Sequence, residues 1–96
     1  MRSQMMDIRQ IEAVLSKMRD LLRIGGLRDW ADALDSCVLD LPVDPSGVRM
    51  RIVSIYGGTG SLNDVVLYRN GQPLIRENNE LDDLRSELYR LCHAAP

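Results

Sequence analysis

Between Ile8 and Leu22, seven apolar residues recur at helical spacing: Ile8, Ile11, Val14, Leu15, Met18, Leu21 and Leu22. At about 100° per residue they fill an arc of about 140°. Glu12, Ser16, Lys17, Asp20 and Arg23 fall outside it. A helix with one such stripe must lay it against another element. The spacing predicts a helix from about Met5 to Ile24, ended by Gly25–Gly26, because glycine tolerates the left-handed conformation of a helix C-terminus. A second stripe follows at Trp30, Leu34, Cys37, Val38 and Leu41, on a helix from about Leu27 to Leu39. The short glycine connection predicts an antiparallel helical hairpin.

Asp44 is a good N-cap, and Pro45 suits the first helical position. A third helix is expected from about Pro45 to Tyr56, with Val48, Ile52, Ile55 and Tyr56 inward and Gly47 weakening its first turn. "MRIVSIY" also fits a strand, but the Asp-Pro start and Gly-Gly stop favour helix. Next, "VVLY-RNGQ-PLI" predicts a β-hairpin near residues 65–75, since Asn70-Gly71 meets the positive φ angles of a type I′ turn. Pro73 cannot donate to a ladder, so the second arm is short and at an edge. A last helix is expected from about Asn79 to His93, capped by Asn78 or Asn79, with Glu80, Asp82 and Asp83 in its first turns. Leu81, Leu84, Leu88, Leu91 and Cys92 form its buried stripe; Arg85 and Tyr89 flank it, and Asp83, Ser86, Glu87 and Arg90 face solvent. The fold class expected is mainly α with a small β-hairpin: four helices in a single domain, 1–96.

A chain of 96 residues buries roughly 60 to 65% of its unfolded surface. That permits one core and leaves little room for a deep cleft. With no Phe, the core must be built from Leu, Ile, Val and Met. A net charge of −2 argues against a general nucleic-acid binder. Cys37 and Cys92 form no CxxC and have no nearby His for a metal site; they read as buried free thiols, with a disulfide or reactive role as the alternative. No metal site or cofactor is expected. The start "MRSQMMDIRQIE" has no apolar leader, and no stretch approaches 18 apolar residues, so a cytoplasmic protein with no membrane partner is expected.

The segment "YGGTGSLNDVVLY" raises the question of a phosphate-binding loop. A Walker loop needs Lys after its last Gly; here Ser61 follows Gly60, and Lys17 is the only lysine. A dinucleotide loop needs strand before helix, and the expected order is the reverse. The segment reads instead as a structural corner. Gly57 or Gly58 caps the third helix, Gly60 turns the chain, and Ser61, Asn63 and Asp64 bond nearby backbone. The corner also has the chance to present its amides, Asn63 and Asp64 to a partner. His93, the only histidine, lies near the chain end, with no second candidate for a catalytic base; it either serves the helix dipole or has no role. The pairs Asp82–Asp83 and Asp40–Asp44 read as solvated carboxylates. No catalytic residues are expected. Trp30 is either a plug between the first two helices or an interface anchor. Arg85 either bridges to Asp64 or Asn63, or lies on the surface.

Two stretches, "YGGTGSLNDVVL" (Tyr56 to Leu67) and "NNELDDLRSELYRLC" (Asn78 to Cys92), resemble a family of small uncharacterised bacterial proteins with a GGxGSxND segment and an LRSExYxL last helix. "RDWADALD" (Arg28 to Asp35) is similar to that family's W-A-x-x-L segment, and Thr59 departs from it, standing where a larger residue is usual. The resemblance implies no activity or cofactor. It implies that Gly57, Gly58, Gly60, Ser61, Asn63, Asp64, Arg85, Ser86 and Tyr89 form one unit.

Small size, mixed charge with acidic excess and the lack of catalytic equipment point to a non-catalytic protein-binding module. The leading expectation is an immunity protein that neutralises a bacterial toxin domain by stoichiometric binding. The alternative is a regulatory or assembly adaptor, homodimeric through an exposed helix stripe. Acidic residues gather at Asp29, Asp32, Asp35, Asp40 and Asp44, and again at Glu77, Glu80, Asp82, Asp83 and Glu87. The second set, with the corner, is preferred as the partner face: Asn63, Asp64, Glu80, Asp83, Glu87 and Arg90, built on Gly57, Gly58, Gly60, Ser61, Arg85 and Tyr89.

Overall fold

A computed structural model describes residues 7–55 and 62–93. In chain order come α1 (Ile8–Ile24), α2 (Arg28–Asp40), α3 (Pro45–Ser54), a 3-10 turn (Leu62–Asp64), β1 (Tyr68–Arg69), β2 (Gln72–Pro73) and α4 (Ile75–Cys92). The fold is mainly α with a small antiparallel β-hairpin between α3 and α4, the class expected.

The Asp7 carboxylate caps α1 through the amide of Gln10, so the helix starts at Ile8 rather than Met5, which lies outside the described residues. Six of its seven stripe residues are buried, and Ile8 is half-buried against the core. At the first corner the two glycines do different work. Gly26, at φ +77°, takes the left-handed conformation expected of the pair. Gly25 has an ordinary φ of −81°; what it needs is space, because a Cβ there would lie 2.6 Å from Leu67 Cδ2. Leu27 is the N-cap of α2, outside the helix it was expected to begin, and α2 runs one residue further than expected, to Asp40. Arg19 on α1 reaches Asp35 on α2 at 2.9 Å, as an antiparallel hairpin requires. Asp35 is half-buried and Asp20 exposed, yet their carboxylates raise the Arg19 pKa, Asp35 most. Ala31, Leu34, Cys37 and Leu41 are buried, and Trp30 is half-buried, between the two roles expected of it.

α3 is a helix, as its Asp-Pro start predicts: Asp44 accepts from Gly47 N at 3.1 Å, with Pro45 in the first turn. A Cβ at Gly47 would meet the Asp44 carboxylate as it stands, so a larger residue there would require the cap to shift. Val48 and Ile52 are buried, Ile55 is half-buried, and Tyr56 lies outside the described residues. Arg51 ties α3 to Asp40 of α2, and Arg49 ties it to the Cys92 carbonyl at the end of α4.

Asn70 and Gly71 have φ of 53° and 78°, the turn predicted for the hairpin. Its strands are only two residues each, with Tyr68 opposite Pro73. The neighbouring pair carries the bond, Leu74 N to Leu67 O at 3.0 Å. Tyr68–Pro73 is therefore a non-hydrogen-bonded pair, and the missing proline donor costs nothing there. α4 begins at Ile75, four residues before the expected start, and neither Asn caps it; the N-cap is Leu74, with no side-chain cap bond. Asn78 is spent elsewhere. Its Oδ1 accepts from Leu67 N at 2.7 Å and its Nδ2 donates to Leu67 O at 3.0 Å, the pattern of an adjacent strand. With α4 starting early, Glu77 takes the first-turn position and Asp82 and Asp83 fall beyond it. Leu81, Leu84, Leu88 and Cys92 are buried as predicted, and Leu91 is half-buried.

Asn78→Ala should destabilise the fold by about 1–3 kcal/mol, because it strands the Leu67 amide. Gly25→Ala should cost about 1–3 kcal/mol by overpacking Leu67. Both act on Leu67, one through its backbone and one through its side chain, so urea denaturation of the double variant should show non-additive losses.

Candidate functional site

The polar positions of α4 divide into two rows, since residues three and four apart share a face. Asp82, Arg85, Ser86 and Tyr89 form one row. Together with Asn63 they line a groove of about 500 Å³ between α4 and the 3-10 turn. Glu80, Asp83, Glu87 and Arg90 occupy the other flank, which leans toward α1: Gln10 Nε2 donates to Glu87 Oε2 at 3.4 Å. Glu87 is thus half-buried rather than solvent-facing, and Arg90 stands 4.0 Å from it.

Arg85 builds the groove. Its side chain is 13% exposed. Nη1 donates to Leu62 O at 2.8 Å and Val65 O at 3.0 Å, and Nη2 donates to the Asp82 carboxylate. A planar guanidinium suits this fork of three acceptors, and lysine could not reproduce it. Among the described residues, Arg85 ties α4 to the turn through the backbone carbonyls of Leu62 and Val65. Asn63 and Asp64 are exposed on the turn. At the other end of the groove Tyr89, 48% exposed, stacks on His93 with ring centroids 3.9 Å apart. His93 Nδ1 lies 2.8 Å from Tyr89 O, so the ring engages the last turn of α4.

The expected residues therefore fall into separate places. Asn63, Arg85 and Tyr89 meet at the groove; Glu80, Asp83, Glu87 and Arg90 lie on the α1 side of α4. Gly57, Gly58, Gly60 and Ser61 lie outside the described residues. Ile55 and Leu62, which flank them, are joined by a bond from Leu62 N to Ile55 O at 2.9 Å. Asp82, expected as a first-turn carboxylate, lines the groove, and so does Ser86, which is exposed as expected. Their i, i+3, i+4, i+7 row with Arg85 and Tyr89 was the available signal.

Cys37 and Cys92 are free and buried. Burial raises both thiol pKa values, that of Cys92 to about 11. Among the described residues, no group of His, Cys, Asp and Glu could hold a metal ion.

Residues 23–75 match a family described as a domain of unknown function (DUF6966). This chain belongs to DUF6966. The matched span runs from the end of α1 to the start of α4, so it includes the turn wall of the groove and not the wall built by α4. No curated protein and no solved structure matches the chain.

Arg85→Ala should release the turn from α4 in this DUF6966 protein and cost about 1–3 kcal/mol in thermal or urea unfolding, and Arg85→Lys should recover less than half. A raised thiol pKa means that folding favours the neutral thiol. Its contribution is complete below the unfolded value near 9 and is lost as pH rises through about 11. Stability should therefore fall between those values. At pH 8 thiol-directed alkylation of Cys92 should run about 100-fold slower in the native chain than after unfolding.

Proposed function

We propose that this chain is a protein-binding module that acts by occupancy rather than turnover, and specifically an immunity protein that neutralises a bacterial toxin domain. The observation that carries the reading is the groove between the 3-10 turn and α4. Its walls are pinned by the Arg85 fork, and its rim presents Asn63, Asp82, Ser86 and a half-exposed Tyr89. Rigid polar walls around an aromatic side chain suit recognition of a protein surface, because little conformational freedom is lost on binding.

Beside the groove, Glu80 and Asp83 are exposed on α4, with Glu87 half-buried below them. This acidic flank suits a basic toxin cleft, where complementary charge steers encounter and a few desolvated pairs hold the complex. The resemblance that joins the glycine segment to the LRSELYRL helix belongs to the same proposal: the two segments form one binding unit. No helix among the described residues is long and apolar enough to cross a membrane, which accords with a partner met in solution.

The test is co-expression with the product of the adjacent reading frame. The expected result is rescue of growth and a one-to-one complex by light scattering. Charge reversal in Asp83→Lys/Glu87→Lys should weaken that complex at least tenfold, mostly through a slower and less salt-dependent on-rate. Unchanged affinity would remove α4 as the partner face. Turnover of a substrate by the isolated chain would replace the whole reading.

A further inference from the structure

The short ribbon has one blunted edge and one open edge. On the β2 side, Pro73 has no N–H to offer. On the β1 side, the polar groups of alternate residues point in opposite directions. Those of Leu67 point inward, to Asn78 and Leu74. Those of Val66 and Tyr68 therefore point outward. Among the described residues, neither Val66 nor Tyr68 makes a backbone hydrogen bond to a turn or loop. Their side chains are 46% and 53% exposed. Ile24 and Ile75 add exposed apolar surface at the same end, where Arg69 Nη2 reaches Ile24 O at 3.4 Å. This edge carries no proline, lysine or inward charge, the devices that usually protect an open strand.

We propose that the Val66–Tyr68 edge pairs with the same edge of a second copy of the chain, giving an antiparallel four-stranded sheet across a two-fold axis. The segment Asp64-Val65-Val66-Leu67-Tyr68-Arg69 argues for a second copy over any other strand. It has an acid at one end, a base at the other and only apolar residues between, and both end residues are exposed. An antiparallel copy of itself is its charge complement. With Leu67 on the axis, Val66 of each copy exchanges two backbone hydrogen bonds with Tyr68 of the other. The acidic end of each segment, where Asp64 closes the 3-10 turn, then lies beside the basic end of its partner. Such an interface is isologous and closes at two subunits. It leaves the groove free and does not depend on the toxin-binding reading.

Sedimentation velocity of the full chain from micromolar to millimolar concentration tests the pairing. The expected result is a monomer–dimer equilibrium. Tyr68→Lys should raise its Kd at least tenfold, while circular dichroism and the unfolding midpoint stay near those of the parent. Arg69→Glu should weaken the dimer, and Asp64→Arg/Arg69→Glu should restore it relative to the single variant. A chain that stays monomeric to millimolar concentration overturns the proposal. So does a dimer indifferent to Tyr68→Lys, or a monomer that instead captures an extended synthetic peptide along this edge.

Discussion

Asn78 does for Leu67 what a neighbouring strand would do. Leu67 is fully buried, and its backbone amide and carbonyl must be paired where water does not reach. The hairpin is too short to pair both: β2 ends at Pro73, and Leu74 serves only the carbonyl. The Asn78 amide supplies an acceptor and a donor in the one side chain. Leu67 can then stay extended and press its side chain onto Gly25, at the corner of the α1–α2 hairpin. One contact thus fixes the ribbon to α4 on one side and to the helical hairpin on the other.

The same solution is used again about two turns further along α4. The stretch from Leu62 to Leu67 has a single 3-10 turn and no longer element of its own, and several of its carbonyls are taken by the last helix. Arg85 takes those of Leu62 and Val65, and Asn78 takes that of Leu67. α4 therefore serves as a polar template for an irregular strip of chain while its leucines serve the core. The groove follows from this arrangement: Arg85 holds the strip close to α4 at one level, and the rows of side chains beyond it stand apart. Residues that look like binding equipment in the sequence are here partly the fastenings of the fold.

The helices were legible because their apolar residues keep a 3.6 period over many turns, and because Asp44-Pro45 and Asn70-Gly71 are strong local signals. The start of α4 was misread for a physical reason. Asn before a run of acidic residues is a common cap, but an asparagine amide serves equally well beside an open backbone eleven residues earlier, and nothing local distinguishes the two uses. Gly25 was assigned to conformation when its role is room for a side chain 42 positions later, another long-range fact. Arg85 was recognised as a tie, but to side chains, since carbonyl partners leave no mark in a sequence. Of the candidate surface, Arg85 and Tyr89, four apart on α4, were legible from spacing, whereas Asn63 was joined to them by the family resemblance. The separation of Glu80, Asp83 and Glu87 from that cluster required knowing that Gln10 of α1 lies beside Glu87.

The bond between Ile55 and Leu62 has a consequence for variation. It joins the two ends of the 56–61 connection, and so sets the separation between the end of α3 and the turn that carries Asn63. Loop-closure entropy grows only as the logarithm of length, by about 0.6 kcal/mol per doubling. Added length in that connection should therefore cost little in closure entropy, and the Ile55–Leu62 bond becomes the point that sequence variation has to respect.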